Sequence, residues 1–306
     1  FGQLEISVTP RLKYTAGVRL EQNWLDRDAD RLVPLFRAGV NYGILDYTFI
    51  RASFGQGYRF PSIAEKHAAT TLGSVKIFPS PYVKPEKGWN AEIGIKQGIG
   101  AKGFKGLVDL SLFYSQHIDM IEYLFGIYPD PGANTYSYGF KASNLEAARV
   151  YGGELEYSLL KKTGQFNNTL TGGYTFMYPV EFNPTSGKNT GTMLKYRRKH
   201  SASLNLQSEY RKFELGLGWY IKSKTLRIDD VFLDPATRES LLPGFFGYWN
   251  EHNKGYMLLD ASLGYHLNKQ LNLSFMVKNL TNTEYMGRPG DIQPQRNFSL
   301  RISGEF

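Results

Sequence analysis

The sequence predicts an all-β fold, an antiparallel up-and-down transmembrane β-barrel, on three observations. Apolar and polar residues alternate with period two in run after run, as strands with two unlike faces require. The connections between runs alternate short and long without exception, which sorts them to opposite ends of the sheet. The runs are about 10 to 13 residues long, closer to a tilted membrane strand than to the globular mode of about 5 to 6. A soluble sandwich has no reason to sort its loops by end, whereas a membrane barrel has short periplasmic turns and long extracellular loops.

Taken in order, Leu4, Ile6 and Val8 alternate with Glu5, Ser7 and Thr9, and after Pro10 a second run carries Leu12, Tyr14, Ala16, Val18 and Leu20. Phe36 to Ile44 and Thr48 to Phe54 follow, joined at Leu45-Asp46. The later runs are Trp89 to Gln97, Leu107 to Asp119, Val150 to Leu160, Asn167 to Tyr178, Ser201 to Tyr210, Phe213 to Lys222, Tyr256 to Leu267 and Leu271 to Leu280. The last begins at Asn297, setting Phe298, Leu300, Ile302 and Phe306 against Ser299, Arg301, Ser303 and Glu305. Alone, that run fits a half-buried soluble strand or a membrane strand; the sorted loops decide for the membrane. The count is about 13 strands. The long connections are 25–34, 58–88, 120–146, 179–198, 226–254 and 281–296.

The faces opposite the apolar ones carry Arg37, Arg51, Glu92, Lys96, Glu154, Glu156, Asp260 and Arg301, which need water or one another. The apolar faces end in Tyr42, Tyr174, Tyr178, Trp219 and Tyr265, as interfacial girdles do. With no cysteine, a disulfide scaffold and a thiolate metal site are excluded. No run reaches the roughly 18 apolar residues of a membrane helix. A mean hydropathy of -0.37 is no obstacle to a barrel, because alternation hides the apolar content. The net charge of +8 is scattered and no recognition helix accompanies it, which argues against a nucleic-acid partner. No signal peptide stands at Phe1, which fits a cytoplasmic chain or a processed or partial one. The first and last strands both run downward from the long-loop side, so about 13 strands do not close. The expectation is therefore the C-terminal portion, residues 1–306, of a single larger barrel domain.

Three segments carry a family resemblance. Arg51-Ala52-Ser53-Phe54-Gly55-Gln56-Gly57-Tyr58-Arg59-Phe60-Pro61-Ser62 places an aromatic-Arg-x-Pro after a Gly-containing strand, Lys84-Pro85-Glu86 opens another strand, and Val277-Lys278-Asn279-Leu280-Thr281-Asn282-Thr283-Glu284-Tyr285 precedes the terminal strand. In this order they resemble TonB-dependent outer-membrane receptors from about residue 35 onward. The resemblance implies a 22-stranded barrel in a Gram-negative outer membrane, occluded by a plug that lies, with the TonB box, N-terminal to this chain. It also implies active import energised by the TonB-ExbB-ExbD complex. The partners expected are the plug and N-terminal barrel half, outer-membrane lipid and lipopolysaccharide, and the barrel-assembly machinery, for which Phe306 matches the terminal signal.

Basic and aromatic loop residues suit flat, anionic ligands such as ferric siderophores. The candidates are Arg59, Tyr123, Tyr136, Tyr138, Arg197, Arg198, His200, Trp249 and His252, with Lys66, His67, Lys76 and Tyr82 in the loop after Tyr58. Haem receptors of the family combine an aromatic-Arg-Ala-Pro box, a His and an Asn-Pro-Asn-Leu box. Tyr58-Arg59-Phe60-Pro61 and His67 follow that pattern loosely, and Ser80-Pro81-Tyr82-Val83 departs from it. The ordinary reading of each residue is a solvated loop tip or a cation meeting lipopolysaccharide phosphate. Asp26, Asp28 and Asp30 alternate as a calcium loop's carboxylates do, but lack its Gly and distal Glu. No resident cofactor and no catalytic constellation is read. The expected function is import of a ferric siderophore; a haem or cobalamin receptor, a passive porin or adhesin, and a soluble β-rich binding protein are the alternatives.

Overall fold

A computed structural model describes residues 1–304 except 26, 27, 30, 73, 74, 131–133, 145, 146 and 269, and at 28, 29 and 72 it describes the backbone alone. Thirteen antiparallel strands pair in chain order into one open wall. They are β1 (Gly2–Thr9), β2 (Leu12–Glu21), β3 (Val33–Leu45), β4 (Thr48–Arg59), β5 (Glu86–Ala101), β6 (Phe104–Ile118), β7 (Ala147–Thr163), β8 (Phe166–Phe182), β9 (His200–Tyr210), β10 (Phe213–Lys222), β11 (Tyr256–His266), β12 (Leu271–Lys278) and β13 (Asn297–Gly304). The expected runs are these strands, most of them lengthened; β10 has the expected bounds, and β6, β11 and β12 end earlier, at Ile118, His266 and Lys278. Among the described residues β1 and β13 each have one unpaired edge, so the wall is not closed.

The short connections tighten by backbone geometry. Gly103 (φ 73°) and Gly164 (φ 61°) supply the left-handed residue in the β5–β6 and β7–β8 turns, and Arg211 (φ 55°) does so between β9 and β10. One face of the wall is apolar and uncovered: Ile93 is 55% exposed, Leu112 59% and Leu300 68%. These side chains do not stack against a second layer in a dry interior, as those of a soluble sandwich would. They face lipid. On the other face Arg51 reaches Asp109 at 2.5 Å and Glu92 at 2.8 Å, and Lys96 meets Asp109 at 3.2 Å.

Two rows of rings bound the apolar band. At the long-loop end Phe54, Trp89, Tyr114, Tyr151 and Tyr178 run across β4 to β8 with centroids 5.3–5.9 Å apart. At the turn end Phe166 stacks on Tyr210 at 4.3 Å and Phe213 meets Tyr265 at 5.0 Å. Twelve positions of β8 separate Phe166 from Tyr178. At about 3.4 Å per residue and a tilt of about 40°, that spans roughly 30 Å, the thickness of a bilayer's hydrocarbon. Of the expected girdle residues, Tyr178 and Tyr265 stand in these rows; Tyr174 instead bonds His200 Nδ1 at 2.7 Å.

The long connections hold structure that the strand pattern did not announce. Ile121–Pro129, Tyr136–Asn144, Val75–Phe78 and Thr70–Leu72 form a separate four-stranded sheet. A short helix (Ile63–His67) precedes it, and Phe245–His252 forms another in the 226–254 connection.

Candidate functional site

The loop sheet stands on the rim of β4 to β7. Its two longer strands pair as a hairpin with Tyr123 opposite Ala142, Phe125 opposite Phe140, Ile127 opposite Tyr138 and Pro129 opposite Tyr136, so these side chains share one face. At the wall end that face is closed, because Ile121 and Ala142 pack with Val83. Further out it opens: Tyr123 is 37% exposed, Tyr138 52% and Tyr136 72%. Phe125 stacks on Tyr138 at 6.0 Å and meets Phe140 edge-on at 5.2 Å, which fixes the rings in place. The sheet is held from behind. Gly139 lies so close to Val75–Phe78 that a Cβ there would sit 2.2 Å from the Lys76 carbonyl oxygen. Lys76 Nζ reaches Asp130 at 2.7 Å, and Ser137 donates to the same carboxylate at 2.6 Å.

Arg59, at the end of β4, ties the rim together. Its guanidinium donates to Glu86 (2.7 and 2.8 Å) and to Glu65 (2.9 and 3.0 Å). Glu65 closes the capping box of Ile63–His67, accepting from the Ser62 backbone at 2.7 Å while Ser62 Oγ accepts from Glu65 N–H. Glu86 also accepts from Ile121 N–H at 2.6 Å, which anchors the hairpin. Burial opposes ionisation of Glu65, but the Arg59 and Ser62 donors outweigh it and hold the carboxyl below its ordinary range. His67 ends that helix exposed and without a hydrogen-bond partner among the described residues, Lys66 is buried over the Phe60 ring, and Tyr82 is 93% exposed.

A second cluster forms from 194–199, 225–256 and 281–296. Arg198 donates to the carbonyls of Ser223 and Met286 and lies 5.0 Å from the centre of the Tyr256 ring, which in turn meets Tyr285 at 4.6 Å. His252 stacks on Tyr248 at 4.1 Å and donates from Nδ1 to the Tyr248 carbonyl at 3.0 Å. Trp249 packs on Phe245 at 5.8 Å. The crevice among these groups is about 20 Å³, room for one water. Nearby, Lys195 pairs with Asp229 at 2.5 Å, and Tyr196, held at φ 57°, donates to the same carboxylate. Burial pushes the Tyr196 phenol up, and the Asp229 carboxylate adds to it. Glu122, on the back of the hairpin, faces this cluster; burial pushes its carboxyl up although Lys195 pulls the other way.

The candidates therefore divide. Tyr123, Tyr136 and Tyr138 share one open face. Arg59, Arg198, Trp249 and His252 are engaged in internal contacts. Arg197 is exposed, and its carbonyl accepts from Leu226 N–H at 2.8 Å. Asp26, Asp30 and Phe306 lie outside the described residues, as does the side chain of Asp28. Sequence reasoning missed Phe125, whose signal was its place one alternation beyond Tyr123. It also missed Asp109, which shares the polar face of β6 with Ser111. Asn279 sat inside the quoted motif with no role. At φ 52° and buried, it takes a bond from Thr283 N–H and donates to the Thr283 carbonyl, both at 2.8 Å, while its own N–H meets Asp260 at 2.8 Å.

The family model for the TonB dependent receptor-like β-barrel matches residues 1–280. The hemoglobin-haptoglobin utilization protein B of Neisseria meningitidis serogroup C is 23% identical over 292 residues, 89% of this chain and 34% of that protein. Among solved structures, the copper transporter OprC superposes with a TM-score of 0.68 at 18% identity, over 99% of this chain and 47% of its own. The siderophore receptor PirA from Acinetobacter baumannii gives 0.68 at 14% identity, over 99% and 45%. The ferripyoverdine receptor of Pseudomonas aeruginosa gives 0.68 at 18% identity, over 99% and 38%. The chain thus spans about a third of the curated relative and under half of each of these solved structures. With the family model covering most of its length and the same wall throughout, this chain belongs to the TonB-dependent receptor-like β-barrels of the Gram-negative outer membrane.

Proposed function

We propose that this chain supplies the C-terminal wall and part of the capture surface of an active importer whose cargo is an iron-bearing chelate, in the first place a ferric siderophore. The observation that carries the reading is the open face of Tyr123, Phe125, Tyr136 and Tyr138. Fixed rings with few rotatable bonds stack on flat ligands at small entropic cost, and the phenol hydroxyls can bond their polar edges. Arg197 adds an exposed cation for an anionic chelate, while Arg59, Arg198, Trp249 and His252 act as struts that hold the loops. The work is capture and gating, with no bond made or broken. The plug, the TonB box and the rest of a 22-stranded barrel come from residues outside this chain, and TonB-ExbB-ExbD acts through them.

A second reading, haem taken from haemoglobin, is favoured by the name of the Neisseria relative and by the exposed imidazole of His67, on the helix that contacts Tyr136–Asn144. Titrating the intact receptor with a ferric catecholate, haemin, haemoglobin and copper, followed by fluorescence quenching, separates the two. Preference for the catecholate, lost in the Tyr123→Ala/Tyr138→Ala variant, supports the first reading. Preference for haemin or haemoglobin, weakened by His67→Ala, replaces it with the second. Uptake of the preferred cargo that persists in cells lacking TonB ends both.

A further inference from the structure

We infer that the outer edge of the loop sheet, along Tyr123 to Ile127, takes an extended segment of a partner polypeptide from the medium as an added antiparallel strand, apolar at alternate residues. At the hairpin tip Asp130 N–H donates to the Thr135 carbonyl at 2.9 Å, in register with the pairs below it. Antiparallel pairs alternate between bonded and non-bonded. Tyr128 with Ser137, Gly126 with Gly139 and Leu124 with Lys141 are therefore bonded pairs, and the N–H and C=O groups of Tyr123, Phe125 and Ile127 turn to the other side. Ile121 has the same parity, and its N–H is spent outside the hairpin, on Glu86 at 2.6 Å. No strand pairs with that side of Ile121–Pro129, and the outward groups of Tyr123, Phe125 and Ile127 make no hydrogen bond there among the described residues.

Two features set this edge apart. Sheet edges left to solvent are normally blunted by charge, proline, a bulge or shortness. From Tyr123 to Tyr128 every residue is neutral, none is proline and the register is unbroken, whereas the opposite edge, Thr70–Leu72, is only three residues long. The side chains of the outward residues also lie on the face they share with Tyr136, Tyr138 and Phe140. A strand laid along the edge therefore sets every second side chain beside those rings, main-chain bonds supplying affinity and the alternate side chains selectivity. A second backbone is what offers N–H and C=O groups at the matching spacing. Exposure rises along the edge from 8% at Ile121 to 58% at Ile127, so the approach is open from the medium and closed from the wall.

The test titrates the intact receptor in detergent with a labelled peptide alternating valine and threonine, read by fluorescence anisotropy. Opposed residues of an antiparallel pair share a face, so the valines both bond the edge and meet the rings. Methylating the valine amides should abolish binding, and methylating the threonine amides should leave it intact. Ile127→Pro removes an outward N–H but no hairpin bond, and should bind the peptide roughly 10-fold more weakly with hydrogen exchange across 137–143 unchanged. Ile127→Val should bind it as wild type does. Equal effects of the two methylations, or full binding by Ile127→Pro, would overturn the assignment. So would a wild type that ignores the peptide, the edge then being covered by the receptor itself or by a second copy, the latter seen as a dimer that Ile127→Pro splits. No cargo enters the measurement, so its outcome is independent of the ligand proposed above.

Discussion

The loop sheet and the Arg198 cluster occupy the same side of the wall and are built from the same residue types, yet they present opposite surfaces. In the sheet, a hairpin satisfies its own backbone, so its tyrosines are free to face outward. In the cluster, irregular backbone must be satisfied by side chains. Arg198 and Asn253 are used for that, Asn253 bonding both the N–H and the carbonyl of Thr225 at 2.9 and 3.0 Å. Regular secondary structure in a loop therefore leaves recognition chemistry available, whereas irregular structure consumes it.

Four measurements break or sharpen that contrast. Arg198→Ala should have the largest effect, because it strands two carbonyl acceptors and removes the cation over Tyr256. A loss of roughly 2–4 kcal/mol in local stability is expected, read as faster hydrogen exchange across 223–256 with cargo affinity little changed. Tyr123→Ala/Tyr138→Ala should do the reverse, weakening ligand binding by about 10-fold or more while the exchange pattern holds. If both variants alter stability alone, the division between the two regions is wrong.

The smaller effects carry opposite pH signs. The Glu65 carboxyl is depressed in the fold, so its contribution is full above the ordinary carboxylate range and is lost as pH falls through the folded value. Glu65→Gln should cost about 1 kcal/mol or less at neutral pH and flatten the acid dependence of proteolysis at 60–68. Glu122 is raised by burial, so its ionised form opposes folding at high pH and the penalty falls away on acidification. Glu122→Gln should leave the hairpin equally or slightly more protected at neutral pH, measured by exchange at 121–129. Loss of protection there would show the carboxylate to be held by the Lys195 cluster instead.

The wall was legible because each strand repeats one physical requirement, lipid on one side and water on the other, every two residues. Leu110 and Leu112 against Asp109 and Ser111 state it locally. The loop sheet was not legible. In Ile121-Glu122-Tyr123-Leu124-Phe125 the alternation is broken at Leu124, which is half-buried on the face opposite Tyr123. The parallel partner of Tyr136–Asn144, Val75–Phe78, lies some sixty residues away, and nothing local specifies that pairing. Candidate sites suffered in the same way. A tyrosine or arginine in a loop looks the same whether it is offered to a ligand or spent on a neighbour's carbonyl, and only the partner decides. Asn279 shows the converse: its motif was visible, but its task of turning the chain with a left-handed residue and satisfying both backbone groups of Thr283 was not.

The grouping of Arg51, Lys96, Glu92 and Asp109 on the polar face of the wall has a bearing on its charge. Two positive and two negative groups, each within 3.2 Å of an opposite, sum to zero. That stretch of the polar face therefore offers hydrogen-bond donors and acceptors with no net local charge, and so presents no deep electrostatic well to an ion beside it.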